Sequence, residues 1–545
     1  MRHRIALIAL ALFSIFVFTS HHHSAVAGQV AAATGPTYTV VAESELGMHC
    51  IDGKDYSIFS VLPPYNTIHA QVIRKGEPPV RITTGVKVNY VAMTDLGGSI
   101  NTTSIAKTNF WVFVKKLFLA SPAPDTGLKG NKTQSLTPQP LTFDSKLGYW
   151  TAEGIPTVPY DDLNKRNPYP MGKVVVKDLS GNTLATTTVV FAVSDEMNCA
   201  LCHKSGSDQD AMPKSGWENN PNVAKDVKLN ILKLHDDHVD ATPYLAQLKT
   251  YGYTYQSSLY ATAKGGTPIL CATCHSSNAL GTPGVTGVRA LTSDMHSKHG
   301  PVLNPSNGIS LDNATSPSTS CYLCHPGAIT KCQRGAMNKI ACFDCHGNPT
   351  HVGDPARVGW LDVPACQMCH AQRQRYTTTF SSPGVWRTTA DRRFATNLNV
   401  PIPGKQLFRY SKGHGAIYCT ACHGAPHAEY PTLRANDNLY STLLQGHSGK
   451  LTECNICHTN VPVSANGGPH GIHTIGQKWV GNHGDIVNLN GSSSCTYCHG
   501  ASYKGTFLSA TSTNRTFTIE NGQTASFAAK AKVGCYDCHN GPNGG

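Results

Sequence analysis

Cys199-Ala200-Leu201-Cys202-His203 is the stretch on which the reading of this chain turns, because the same Cys-x-x-Cys-His pattern occurs nine times up to Cys535-Tyr536-Asp537-Cys538-His539. Between them stand Cys271, Cys274 and His275; Cys321, Cys324 and His325; and Cys342, Cys345 and His346. Then follow Cys366, Cys369 and His370; Cys419, Cys422 and His423; Cys454, Cys457 and His458; and Cys495, Cys498 and His499. At the Cys and His frequencies of this chain, chance would produce about 0.04 such motifs, so the series reads as covalent c-type haem attachment. Two thiols separated by two residues sit about one helical turn apart and can add to the two vinyl groups of one porphyrin edge. The His after the second Cys then lies under the iron and supplies its proximal nitrogen. Nine haem c groups would use eighteen of the twenty cysteines. Zinc sites or dithiol redox motifs do not need a His after every pair, and zinc would have to couple nine pairs into tetrahedral sets.

A chain of 545 residues has room for two or more domains, and its 40% hydrophobic content is ordinary for a folded protein. The formal charge of +12 includes Arg2 and Arg4, expected to be cleaved, which leaves +10. Each ferric haem adds two propionates and one positive charge, shifting the balance by about nine units toward negative, so basicity is no argument for nucleic acid.

Residues 1–27 read as a secretory signal. Met1-Arg2-His3-Arg4 is basic, Ile5 to Phe18 is almost wholly apolar, and Ala25-Val26-Ala27 offers a small-residue cleavage site before Gly28. The apolar run is short for a membrane span. No transmembrane anchor is therefore expected, and the chain is placed in the periplasm or at the outer cell surface. His21 to His23 fall in the discarded segment.

Residues 28–193 carry one cysteine and several runs with strand character: Tyr38 to Ala42, Ser57 to Leu62, Thr67 to Arg74, Val86 to Met93 and Phe110 to Leu119. Thr67 to Arg74 alternates Ile68, Ala70 and Val72 with His69, Gln71 and Ile73, the pattern of a half-buried strand. Lys173 to Lys177 and Thr186 to Val193 flank Ser180-Gly181-Asn182 as a hairpin. Spacing and turn chemistry point to a β-sandwich, with Ser121 to Asn167 as long loops.

From residue 194 to 545 aliphatic residues thin out and Gly, Asn, Ser, His and Cys take over. Nine flat apolar macrocycles would supply the interior that Leu, Ile and Val otherwise provide. The expected fold is a multihaem cytochrome c domain of short helices beginning at each motif, joined by irregular loops. One longer helix is expected over Val223 to Val239, with Val227, Ile231 and Leu234 on one stripe.

Eleven further histidines lie in this part and are candidate second axial ligands: His235, His238, His296, His299, His351, His414, His427, His447, His470, His473 and His483. Three His-x-x-His pairs stand out, 235/238, 296/299 and 470/473. On a helix such a pair faces one side and can reach two neighbouring haems, although Pro469 and Gly471 argue against a regular helix for the last pair. His351 and His427 each follow a proximal His closely, and a turn there aims them at an adjacent haem.

Several stretches carry a family resemblance: Cys321 through Cys332-Gln-Arg-Gly-Ala-Met337 to Cys342, and Gly413-His-Gly-Ala-Ile-Tyr-Cys419. Ser502-Tyr-Lys-Gly-Thr506 with the closing motif, and Leu46-Gly-Met-His-Cys50 followed by Leu62-Pro-Pro-Tyr-Asn66, belong with them. The chain resembles the multihaem, here nonahaem, c-type cytochromes of metal-respiring bacteria. That resemblance implies electron transfer outside the cytoplasm, to other redox proteins or extracellular acceptors. Cys50 and Cys332, the two spare cysteines, suggest a disulfide in an oxidising compartment. Met48, His49, Cys50 and His69 offer copper or haem ligands as an alternative.

The function expected from these residues is electron transfer by closely packed, mostly bis-His haems rather than catalysis. The competing class is a multihaem reductase of a small oxyanion or a nitrogen or sulfur compound, which needs one open iron. A docking role for the β-sandwich, or assembly into a filament or oligomer, is a third reading.

Overall fold

Strand Tyr65–Arg74 shows how the N-terminal part is put together. Ile68, Ala70 and Val72 enter one apolar core, while His69, Gln71 and Ile73 are equally buried on the other face. The half-buried strand expected from the alternation is therefore buried on both sides. The reason lies outside the strand: Val41, Ile73 and Tyr149 pack against Tyr418, Ala421 and Tyr440 of the motif-bearing part.

The computed structural model describes residues 37–371, 374–389, 407–461 and 468–542, so the signal segment lies outside the described residues. Strand Tyr65–Arg74 joins an antiparallel sheet ordered Tyr38–Ser44, Tyr65–Arg74, Tyr149–Pro156, Thr142–Asp144, with Val80–Ile82 also paired to Tyr65–Arg74. A second antiparallel sheet runs Thr183–Val190, Met171–Asp178, Val86–Met93, Gln139–Pro140. Both sheets bury their apolar positions in one core, with Val40, Ile68 and Ala152 from the first meeting Val88, Val174 and Val189 from the second. The hairpin expected around Ser180-Gly181-Asn182 is present, closed by a turn in which Asp178 N donates to Asn182 O and Asn182 N donates to Asp178 Oδ1.

Three local expectations are corrected. Phe110–Phe118 is a helix, not a strand, because Phe110, Val114 and Leu117 bury at helical spacing while Lys115 and Lys116 end it facing out. Residues 121–167 are not all loop, since Tyr149–Pro156 forms a full strand in the first sheet. Of Ser57 to Leu62, only Phe59–Ser60 pairs, in parallel with Ile269–Leu270.

Beyond Ser194 the longest element is helix Val223–His238, capped by the Asn222 side chain, which accepts from Lys225 N. Its buried face is centred on Val227, Leu229 and Leu232, with Ile231 and Leu234 only half-buried, so the stripe differs from the one the spacing suggested. Leu229 and Leu232 pack with Ile58, Phe59, Leu248 and Leu259, which takes the helix into a core shared with the N-terminal part. Among the described residues no helix is long and apolar enough to cross a membrane.

Candidate cofactor site

Every motif begins in a single helical turn, α or 3-10, as at Cys342–His346, Cys419–His423, Cys271–Thr273 and Cys535–Asp537. The turn is closed by the His amide donating to the carbonyl of the first Cys, at 2.9 Å in the first motif, 2.8 Å at Cys321 and 2.9 Å at Cys454. That bond sets the two thiols on one side of the turn and the imidazole beyond them, the arrangement thioether attachment needs.

The second observation is a set of ring pairs. His203 faces His299 with ring centres 6.3 Å apart, His275 faces His235 at 6.5 Å, and His325 faces His296 at 6.0 Å. His346 faces His427 at 6.0 Å, His423 faces His470 at 5.8 Å, and His458 faces His414 at 6.0 Å. His499 faces His473 at 6.1 Å and His539 faces His483 at 5.7 Å. Each of these eight pairs joins one motif His to one non-motif His from a different segment. A nitrogen–metal bond of about 2.0–2.1 Å on either side, plus roughly 1.1 Å from nitrogen to ring centre, places two such centres about 6 Å apart with one metal between them. The pairs have the spacing of two axial ligands on one iron.

The ring nitrogens are set for that role. His275 Nδ1 lies 2.9 Å from the Arg289 carbonyl, His296 Nδ1 2.7 Å from Thr292 O, and His299 Nδ1 2.7 Å from Met295 O. His473, His483 and His499 make the same contact with Thr474 O at 2.8 Å, Val480 O at 2.9 Å and Val533 O at 2.6 Å. A carbonyl only accepts, so Nδ1 carries the proton and Nε2 keeps the lone pair a metal requires. Burial first, then the facing imidazole, pushes His203 and His325 down to about 4 and His346 and His423 down to about 3. These rings are neutral at neutral pH and available as ligands.

Three of the eleven candidate ligands stand elsewhere and face no motif histidine among the described residues. His238 is exposed at the end of its helix, so the 235/238 pair places one ring at a motif rather than two. His351 lies against Phe380 and Trp386. His447 has both nitrogens engaged, Nδ1 at 3.0 Å from Ser448 O and Nε2 at 3.1 Å from Glu453. His370 packs beside Phe507, and burial followed by Arg375 and Lys450 pushes it down to about 4. The pair 470/473 works without a helix, because His470 sits in a turn with a φ of 59°.

Cys50 and Cys332 are separate thiols here. They are near neighbours: strand His49–Cys50 pairs with Val193–Ser194, and Ser194 Oγ is 2.9 Å from Thr330 Oγ1. His69 stacks on Tyr149 at 4.0 Å, with Nδ1 3.0 Å from Thr151 Oγ1. Among the described residues no three His, Cys, Asp or Glu side chains converge as a closed metal cage would need.

No family model, curated protein or solved structure matches this chain. The site therefore has to be read from its own geometry. Sequence reasoning supplied the motifs and, among its eleven candidates, all eight facing histidines but not the pairing, since the pairs join residues from 26 to 96 positions apart only after folding, as His473/His499 and His203/His299 illustrate. It also missed two contacts that tie the motifs to the N-terminal sheets. Glu77 meets His458 at 3.1 Å, and Arg334 Nη1 donates to Gly47 O.

Proposed function

We propose that this chain is an exported electron carrier holding nine covalently attached haem c groups, its N-terminal β-sandwich docked on a multihaem cytochrome c domain. The observation that supports it best is the set of eight facing imidazole pairs at 5.7–6.5 Å. Each haem, when bound, supplies a one-electron iron couple. The chain's own residues do the rest. The cysteines would fix each macrocycle covalently, the paired imidazoles would hold the iron, and the carbonyl acceptors on Nδ1 of six of these rings set their orientation and tautomer. At the eight paired motifs a haem held on both sides would leave no position for a substrate, which favours conduction over catalysis. Its partners are then other redox proteins or extracellular acceptors, met in the periplasm or at the cell surface.

Reductive titration of the purified holoprotein tests the reading. About nine electron equivalents, with a low-spin spectrum for the paired sites, are expected. An uptake of one or two equivalents would defeat it, and a high-spin ferric signal that moves when nitrite is added would shift the assignment to a reductase.

A further inference from the structure

The motifs that neighbour each other in space are not always neighbours in sequence, and the paired histidines show which ones meet. This step rests on the haem reading above and concerns the order of the motifs. Helix Leu291–His299 sends His299 to His203 of the first motif and His296 to His325 of the third. Two ligands three residues apart on one helix share a face. Motifs one and three therefore both meet the C-terminal half of this helix, while motif two meets its start, where Leu291 N donates to Ser276 O and Asp294 lies 3.4 Å from His275 Nδ1.

A second helix ties motif two to motif one. On helix Val223–His238, Asn230 Nδ2 donates to the His203 carbonyl at 3.0 Å, and the same helix gives His235 to His275. From motif three the line continues in sequence order. Cys321 of motif three and Phe343 of motif four line the same cavity, and His346 of motif four faces His427. After motif five the chain returns to motif four, where Tyr376 N donates to Cys369 O and Thr379 Oγ1 donates to Cys345 O at 2.9 Å, and Arg409, on the turn leading into motif six, donates to Trp360 O just before motif five at 3.0 Å.

At motif six the line divides. Cys457 of motif seven packs on the apolar cluster that holds Ala421 of motif six. The turn at Pro469–Gly471 sends His470 to His423 of motif six, and His473, three residues on, to His499 of motif eight. Trp479 then stacks on both His473, at 4.1 Å, and His483, at 5.9 Å, and His483 faces His539 of motif nine.

We infer that the motifs are ordered in space as second, first, third, fourth, fifth and sixth, with a fork at the sixth to the seventh on one side and to the eighth and ninth on the other. The two His-x-x-His pairs that place both rings, 296/299 and 470/473, are the devices that make this order depart from the sequence. Each bridges a skipped motif.

The test uses electron paramagnetic resonance on the full holoprotein, with nine haems verified by mass in every variant. His296→Ala, His299→Ala, His470→Ala, His473→Ala and His483→Ala should each give one high-spin ferric centre. The His296→Ala/His299→Ala and His470→Ala/His473→Ala doubles should each give two high-spin centres broadened by mutual spin coupling. The His299→Ala/His483→Ala double, motifs one and nine, should give the plain sum of its singles. A plain sum from the 296/299 or 470/473 double would overturn the order while leaving the ligand reading intact. Single variants that stay low-spin would remove the ligand reading itself. Iron positions from anomalous scattering of the unaltered holoprotein decide independently of any variant's folding. The third iron should neighbour the first and not the second, and the sixth should have the fifth, seventh and eighth around it. A second iron lying between the first and third would overturn the order.

Discussion

His458 Nδ1 lies 3.1 Å from one carboxylate oxygen of Glu77 and 3.2 Å from the other, so a side chain of the N-terminal part holds the imidazole of the seventh motif. The backbone reinforces the contact. Gly76 N donates to Cys457 O, Asn460 N donates to Glu77, and Lys75 Nζ reaches Asn455 O at 3.2 Å. A carboxylate accepting the Nδ1 proton makes the imidazole more electron-rich than a carbonyl does, which would favour the ferric state and lower the potential of the haem proposed at this motif. Glu77→Gln keeps an acceptor and removes the charge. The upward shift expected is modest, because Glu77 is 36% exposed and its charge is screened. Spectroelectrochemistry should show one couple moving upward. Unchanged potentials throughout would mean that Glu77 only fastens the loop.

The ligand reading of helix Val223–His238 makes an asymmetric prediction. His235 faces His275 at 6.5 Å, while His238 is exposed at the helix end. His235→Ala should create one high-spin haem that binds carbon monoxide when reduced. His238→Ala should leave spin state and carbon monoxide binding as in the unaltered protein. Equal behaviour of the two variants would contradict this placement.

Local chemistry was the legible part of this sequence. A Cys-x-x-Cys-His motif is complete within five residues, and its helical turn follows from the same spacing. Phe110-Trp-Val-Phe-Val has strand propensity, yet Phe110, Val114 and Leu117 found a hydrophobic surface with Tyr56 and Leu270, and burial at helical spacing overrode local preference. Ile73 and Gln71 looked like a solvent face because the alternation of a strand carries no record of what covers it. Tyr418, whose amide donates to Gln71 Oε1 at 3.0 Å, comes from residues 347 positions away. The pairing of imidazoles is of the same kind. It is a property of the assembled chain, whereas the supply of histidines is a property of its composition.

Arg334 joins the two parts of the molecule from a fully buried position. Its Nε and Nη2 donate to the two Asp437 oxygens at 2.6 and 2.9 Å, a bidentate pair with side-chain exposures of 1% and 6%, and Nη1 donates to Gly47 O. Removing one partner leaves the other charge buried alone. Arg334→Ala should therefore cost about 3–5 kcal/mol in denaturant unfolding. The Arg334→Met/Asp437→Leu double should recover much of that loss, since apolar groups replace both charges. A loss below about 1 kcal/mol in the single variant would show that the ion pair is not an anchor.

The remaining prediction concerns pH. Glu43 is buried between the first sheet and the sixth motif, where Thr420 Oγ1 donates to it at 2.9 Å and where it pairs in register with His69. Burial raises its carboxyl to about 8, with the Thr420 hydrogen bond opposing, while burial pushes neighbouring His69 down to about 3. Both groups are thus neutral near pH 7, and Tyr418, Tyr430 and Tyr440 from the motif side add no cation to compensate a charged Glu43. The folded chain holds a proton on Glu43 that the unfolded chain has released above its ordinary value of 4.5. This contribution to stability is fully present below pH 4.5 and is lost as pH rises toward and through about 8. The loss attributable to this one group is on the order of a few kcal/mol. Glu43→Gln, which stays neutral and keeps an acceptor for Thr420, should flatten that part of the profile. Comparing unfolding midpoints of the two proteins at intervals from pH 5 to 9 checks the sign: the variant should gain on the unaltered protein as pH rises, and parallel profiles would show that Glu43 ionises in the folded chain without cost.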